Sequence, residues 1–125
     1  MKMKMTINEL VILQVSIIAM SQTKIPAYPA GSRFDRALRD VSSITAPAIA
    51  DMQKLYRESG VLSEDGKQFV PPTEPEASAA FEAAQIEIRN REVEIDWHPV
   101  DEAELGAAMI EPAHITALRG YMINN

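Results

Sequence analysis

The sequence predicts a mainly helical α+β protein, with three to four helices packed on a small two-stranded sheet. Three observations predict it. Two segments at opposite ends, Met1–Met5 (MKMKM) and Glu92–Trp97 (EVEIDW), alternate apolar and charged residues with a strand's period of two. Between and after them, apolar residues recur at three-or-four spacing over stretches long enough for helices. The chain has 125 residues, 46% apolar and 24% charged, which suits one globular domain spanning residues 1–125.

The two alternating segments make a pair. A lone strand is unstable. Met1, Met3 and Met5 form an apolar side, with Lys2 and Lys4 on the other; Val93, Ile95 and Trp97 oppose Glu92, Glu94 and Asp96. Pairing puts apolar on apolar and lysine opposite carboxylate, each charge pair contributing about 0.2–1 kcal/mol. The partner strand belongs either to the same chain or to a neighbouring subunit.

The elements follow in order. Thr6 and Glu9 form a capping box that starts a helix over Ile7 to Met20 or Ser21. This helix is apolar around most of its circumference, which fits a central core helix or an oligomer interface. LVILQVSIIAM is too short to span a membrane. No clean small-x-small site follows it, so it is not read as a leader. Pro26, Pro29 and Gly31 make a stiff loop, and Ser32 is placed to cap the second helix. Its apolar phase runs from Phe34 through Val41, Ala48 and Leu55 up to Gly60, across Pro47. We read one long helix kinked near Pro47, with two abutting helices as the alternative.

EDGK is a turn between two short hairpin strands, VLS and KQFV. Thr73 and Glu76 repeat the capping-box signature before a third helix, Pro75 to Asn90, with Ala77, Ala80, Phe81, Ala84 and Ile88 inward. Glu92–Trp97 is the clearest strand, stopped by Pro99. A short turn or helix at residues 101–107 precedes a last helix with Pro112 in its first turn and Ile115, Leu118 and Met122 on one face.

Composition excludes several functions. With 12 Lys and Arg against 18 Asp and Glu, the net charge of −6 disfavours nonspecific binding to nucleic acid. No cysteine is present, so disulfides, thiolate catalysis and cysteine-based zinc sites are absent. No phosphate-cradling glycine loop, HExxH or GxSxG motif occurs. We expect a non-catalytic protein with no cofactor, no catalytic residue and no metal site. It is expected not to bind nucleic acid or a membrane. An enzyme using Asp96, His98 or the arginines is the weakest reading.

The best ligand-site candidate is SRFDRALRD. Arg33 and Arg36 follow a rigid loop containing Tyr28, and guanidinium groups beside an aromatic ring can hold a phosphate or a base. The competing use is pairing along the helix, Arg36 with Asp40 and Asp35 with Arg39. Arg119 and Tyr121, on the last helix, are a second candidate. Asp96 and His98 share a strand face and can form an acid–base pair or ligate a metal. A solvated strand face is the simpler use.

The order of features resembles an uncharacterised family of small phage-encoded proteins, a domain of unknown function. The resemblance lies in MKMK before an apolar helix, KIPAYPAGSRFDRALRD leading into an arginine-bearing helix, LYRESG, the acidic turn SEDGK, REVEIDWHPV and the closing MIEPAHITALRGYMI. It covers most of the chain. Pro29, Gly31 and Pro47 depart from its pattern, which implies a later start or a bend in the second helix. The resemblance implies phage or prophage origin and a small helical fold with a minor sheet, and it supplies no catalytic residues. From it and the residues together we expect an accessory binding protein of the host cytoplasm, acting in counter-defence. It would bind a host protein or sequester a nucleotide-type small molecule. A virion morphogenesis or tail-assembly role is the alternative. The open sheet edges and the apolar first helix lead us to expect a homo-oligomer.

Overall fold

Alternation makes the first residues a strand, and Thr6 turns that strand into a helix. A computed structural model of the chain describes residues 1–25, 28–106, 108 and 110–124, with Tyr28 described by its backbone alone. Strand β1 (Lys2–Thr6) pairs antiparallel with β4 (Glu92–Asp96), in the register Lys2↔Asp96, Met3↔Ile95, Lys4↔Glu94 and Met5↔Val93. Both strands belong to one chain. The ladder is extended by the Trp97 amide donating to the Met1 carbonyl at 2.8 Å and the Ile7 amide donating to that of Arg91 at 3.0 Å. Met5, Ile95 and Trp97 are buried, as the alternation predicts. Each lysine stands opposite a carboxylate, yet among the described residues none of these pairs closes to 4.0 Å. Asp96 instead accepts from the Met1 ammonium at 2.8 Å.

Helix α1 (Ile7–Gln22) starts with the expected capping box: Thr6 Oγ1 accepts from the Glu9 amide at 3.2 Å, and Glu9 Oε1 accepts from the Thr6 amide at 3.1 Å. One side of α1 buries Leu10, Leu13, Ile17 and Met20. The other leaves Val11, Ile12, Val15 and Ile18 exposed.

Helix α2 (Tyr28–Ser59) is one helix of 32 residues, so the two-helix alternative falls. It also begins earlier than expected. Pro29 and Gly31 lie inside its first turn rather than in a loop, and Ser32 is not its cap. The reason is that first-turn amides have no intrahelical acceptor, so a proline there loses nothing. Pro47 is tolerated on the exposed side of the helix, where the Ser43 carbonyl it leaves unpaired can meet water. Contacts of Ile7 with Ala48 and of Gln14 with Ser42 show that α1 and α2 run antiparallel.

Strands β2 (Val61–Leu62) and β3 (Phe69–Val70) form the expected hairpin, with Gly66 at φ 68° in its turn. Gly60 joins α2 to this hairpin where a Cβ would collide with the carbonyl oxygens of Tyr56 and Val70. Helix α3 (Pro75–Arg89) begins one residue later than its signature implies. With Pro75 as its first residue, Glu74 becomes the cap, and the Thr73–Glu76 box does not form. Phe81 and Ile88 are its buried residues, whereas Ala80 is exposed.

The C-terminal segment departs furthest from expectation. Strand β5 (Val100–Asp101) and a 3-10 turn (Glu102–Leu105) lead to α4, which is only Pro112–Leu118. Arg119 is extended and Gly120 adopts φ 85°, so Arg119 and Tyr121 are not on a helix. The chain then returns as β6 (Ile123–Asn124), parallel to β5. Met122 is fully buried, but from this turn rather than from a helix face.

These elements enclose one large core and one small one. The large core holds Trp97, Phe34, Leu10, Ile17, Met20, Val41, Leu118 and Met122 among others. The small one consists of Ile7, Ala48 and Ile88, with Met52 and Leu55 partly covering it. The result is a mainly helical α+β fold with four helices and two-stranded sheets among the described residues.

Candidate functional site

Arg33 and Arg36 lie three residues apart on α2, while Phe34 and Ala37 between and beside them enter the core. The end of β4 crosses this part of α2. The two arginines therefore line a crevice with Asp96, Trp97 and His98, two groups of residues that the sequence left separate. The crevice has no room for a water-sized molecule.

The charges in it are partly engaged. Arg33 Nη1 donates to the Pro99 carbonyl at 3.0 Å, and Arg36 Nε lies 3.8 Å from Asp40 Oδ2, the pairing anticipated along the helix. Asp96 has its carboxyl below the ordinary value, first through the hydrogen bond from the Met1 ammonium; His98 adds a smaller attraction. His98 Nε2 is 3.6 Å from Asp96 Oδ2. Two buried nitrogens here, Trp97 Nε1 and His98 Nε2, have no hydrogen-bond partner.

The other predicted ligand residues are placed differently. Arg119 Nη2 donates to Glu102 Oε1 at 2.8 Å, apart from the crevice. Tyr121 packs edge-on against Trp97, ring centroids 6.2 Å apart, and does not line the crevice. The Tyr28 side chain lies outside the described residues.

A second surface was not foreseen. An open groove of about 510 Å³ runs along α2 to the hairpin, lined by Ile49, Met52, Gln53, Tyr56, Arg57 and Phe69. Tyr56 is held there edge-on to Phe81 at 5.0 Å, and its hydroxyl accepts from Gln85 Nε2 at 3.1 Å. A smaller groove of about 170 Å³ adjoins it through Ile49 and Met52 and reaches Ile7, Val11 and Ile88. Val61, Leu62 and Phe69 of the hairpin are exposed. The sequence signal for this surface was faint, because only folding brings Phe69 of the hairpin to Ile49, Met52 and Tyr56 of α2.

A third arrangement was also missed. Ser16 Oγ lies 2.9 Å from His114 Nδ1, and His114 Nε2 is 4.0 Å from Glu111 Oε2. The order serine, histidine, carboxylate is that of a nucleophile, a base and its orienting acid. However, Ser16 is 6% exposed within α1, which leaves its hydroxyl shielded from a substrate. The contact ties α4 to α1.

Among the described residues no cluster of three or more histidines and carboxylates is arranged to hold a metal ion. No described helix is long and apolar enough to cross a membrane. Comparison with protein-family models, with curated proteins and with solved structures finds no match to this chain.

Proposed function

We propose that this chain is a non-catalytic accessory binding protein of the phage or prophage type, acting in the host cytoplasm by holding a host protein. One observation carries the choice of a protein over a small ligand. Of the two surfaces, the apolar groove between α2 and the hairpin is wide, about 510 Å³, whereas the arginine crevice admits nothing the size of water. An extended or helical apolar segment fits such a groove, with Arg57 at its edge to meet an acidic flank. The test uses the whole chain as bait in host extract, against an Ile49→Asp/Phe69→Ser variant. A host protein retained by the wild type and lost by a variant of unchanged melting temperature supports the reading. Retention of virion components instead would move the assignment to assembly.

A second reading rests on the unpartnered nitrogens. Trp97 and His98, whose Nε1 and Nε2 are unpartnered, line one crevice with Arg33 and Arg36, groups that can donate to a phosphate of a nucleotide signal once the crevice widens and Asp40 and Asp96 turn away. A thermal shift with cyclic or ADP-ribose-type nucleotides, abolished by Arg33→Ala or Arg36→Ala, would favour sequestration. We expect no shift.

A further inference from the structure

Helix α1 has two apolar sides and only one of them is covered. Val11, Ile12, Val15 and Ile18 are 41, 63, 64 and 37% exposed, and together they form one continuous stripe along the helix. From Leu10 to Thr23 the chain has no ionisable side chain. The exposed sides of the other long helices carry charge, Arg33, Asp35, Arg36 and Arg39 on α2 and Glu76, Glu82, Glu87 and Arg89 on α3, with Ile49 and Ile86 the large apolar residues exposed among them. A chain of net charge −6 thus keeps one helix face free of charge. The stripe therefore fits a neutral, apolar surface of similar length.

We propose that this surface is α1 of a second copy, packed antiparallel about a two-fold axis near Val15. Three features favour that occupant. First, the stripe is nearly symmetric about its middle. With Val15 beside its own counterpart, Val11 and Ile12 of one copy come opposite Ile18 of the other, so every exposed apolar residue meets another. Second, the polar ends of that side match. Asn8 and Gln22 are exposed and each lies seven residues from Val15, so antiparallel packing sets the Asn8 amide of one copy opposite the Gln22 amide of the other at both ends of the interface. Third, a membrane surface is a poor alternative, because interfacial helices carry lysine and arginine beside the apolar face and α1 has none.

The size of the face sets the strength. A helix of 16 residues is about 24 Å long, and one side of it presents a few hundred Å², less than the ~800 Å² per partner of a standard interface. The dimer is therefore weak and exchanges with monomer as concentration changes. It leaves the α2–hairpin groove open at its far end, near Phe69.

The test is sedimentation velocity on the full chain from about 1 µM to about 500 µM, the range over which a weak dimer forms. The wild-type mass rises from one chain of 13.8 kDa toward two, and Val15→Glu stays at one throughout. Because the chain has no cysteine, single-cysteine variants give an independent reading. Val15→Cys forms a disulfide-linked dimer at least tenfold faster than Lys54→Cys, a control on α2. A wild type that stays monomeric at the highest concentration overturns the proposal, as does equal cross-linking of the two cysteine variants. A mass unaffected by Val15→Glu places the interface elsewhere and overturns it too. If Val15→Glu fails to fold, the cysteine pair still decides.

Discussion

The two halves of α2 rest on different foundations. The N-terminal half sets Phe34, Ala37 and Val41 against Trp97, Leu10 and Met122, in a core built from both chain ends. The C-terminal half leans on Ala48 and its contacts with Ile7 and Ile88, with two grooves open beside it. The difference teaches where this fold keeps its stability and where it keeps its surface. The dense half is closed by a strand pair some ninety residues apart in sequence, which requires most of the chain to be in place. The loose half joins only three buried residues, Ile7, Ala48 and Ile88, one from each of three helices, and apolar side chains beside it are left for contact.

The comparison breaks most visibly at Trp97. It is 1% exposed and is the largest fully buried side chain. Trp97→Ala is expected to cost about 3–5 kcal/mol by leaving a large cavity. The melting temperature should fall on the order of 10–20 °C. Trp97→Phe should cost much less, because it retains a ring and removes an indole N–H that has no partner. A tryptophan-to-alanine loss of only 1 °C or so would mean that the dense half is not dense.

Ile88 tests the other half. It is 8% exposed and borders the smaller groove. Ile88→Ala should cost about 2–3 kcal/mol, at the low end for such a change, since the site already opens to solvent and can relax. Chemical denaturation should therefore rank Trp97→Ala well above Ile88→Ala, with no change in the slope of either transition. A reversed order would assign the stabilising core to the α2–α3 side.

Legibility in the sequence divides along similar lines. The β1–β4 pairing was readable from a period of two and from sorting lysines against carboxylates, although the ion pairs do not close. The Thr6–Glu9 cap was readable because all its parts lie within one turn. Errors arose where one pattern serves two structures. Pro29 and Gly31 punctuate loops, but a first helical turn accepts both. Ile115, Leu118 and Met122 keep helical spacing, yet Gly120 turns the chain and Met122 enters the core from a turn.

At the candidate site, the sequence could supply the arginines but not the acceptors that folding brings to them, the Pro99 carbonyl and Glu102. Ser16 and His114 are 98 residues apart, and neither has a local motif to announce the other. The exposed half of α1 was half legible. Its all-round apolar character was plain, but which side faces inward depends on α2 and α4.

The smallest effect compares two carboxylates, one in each half. Asp65, in the hairpin turn, accepts from the Ser63 hydroxyl and from the Lys67 amide at 3.0 Å. Both bonds hold its carboxyl below the ordinary 3.8, the Ser63 hydroxyl being the larger cause. Asp96 is lowered by the Met1 ammonium. For a carboxylate whose folded value lies below its unfolded one, the stability it contributes is full above the unfolded value and is lost as pH falls through the folded value. Both contributions should therefore hold above about pH 5 and fade below about pH 4. Carboxyl-carbon NMR titrations should place both midpoints under 3.8. Ser63→Ala should raise the Asp65 midpoint toward the ordinary value and leave Asp96 unmoved, because the two carboxylates draw on separate donors. If Ser63→Ala moves both, the hairpin and the sheet titrate as one unit, and the halves of the molecule are more tightly joined than their packing implies.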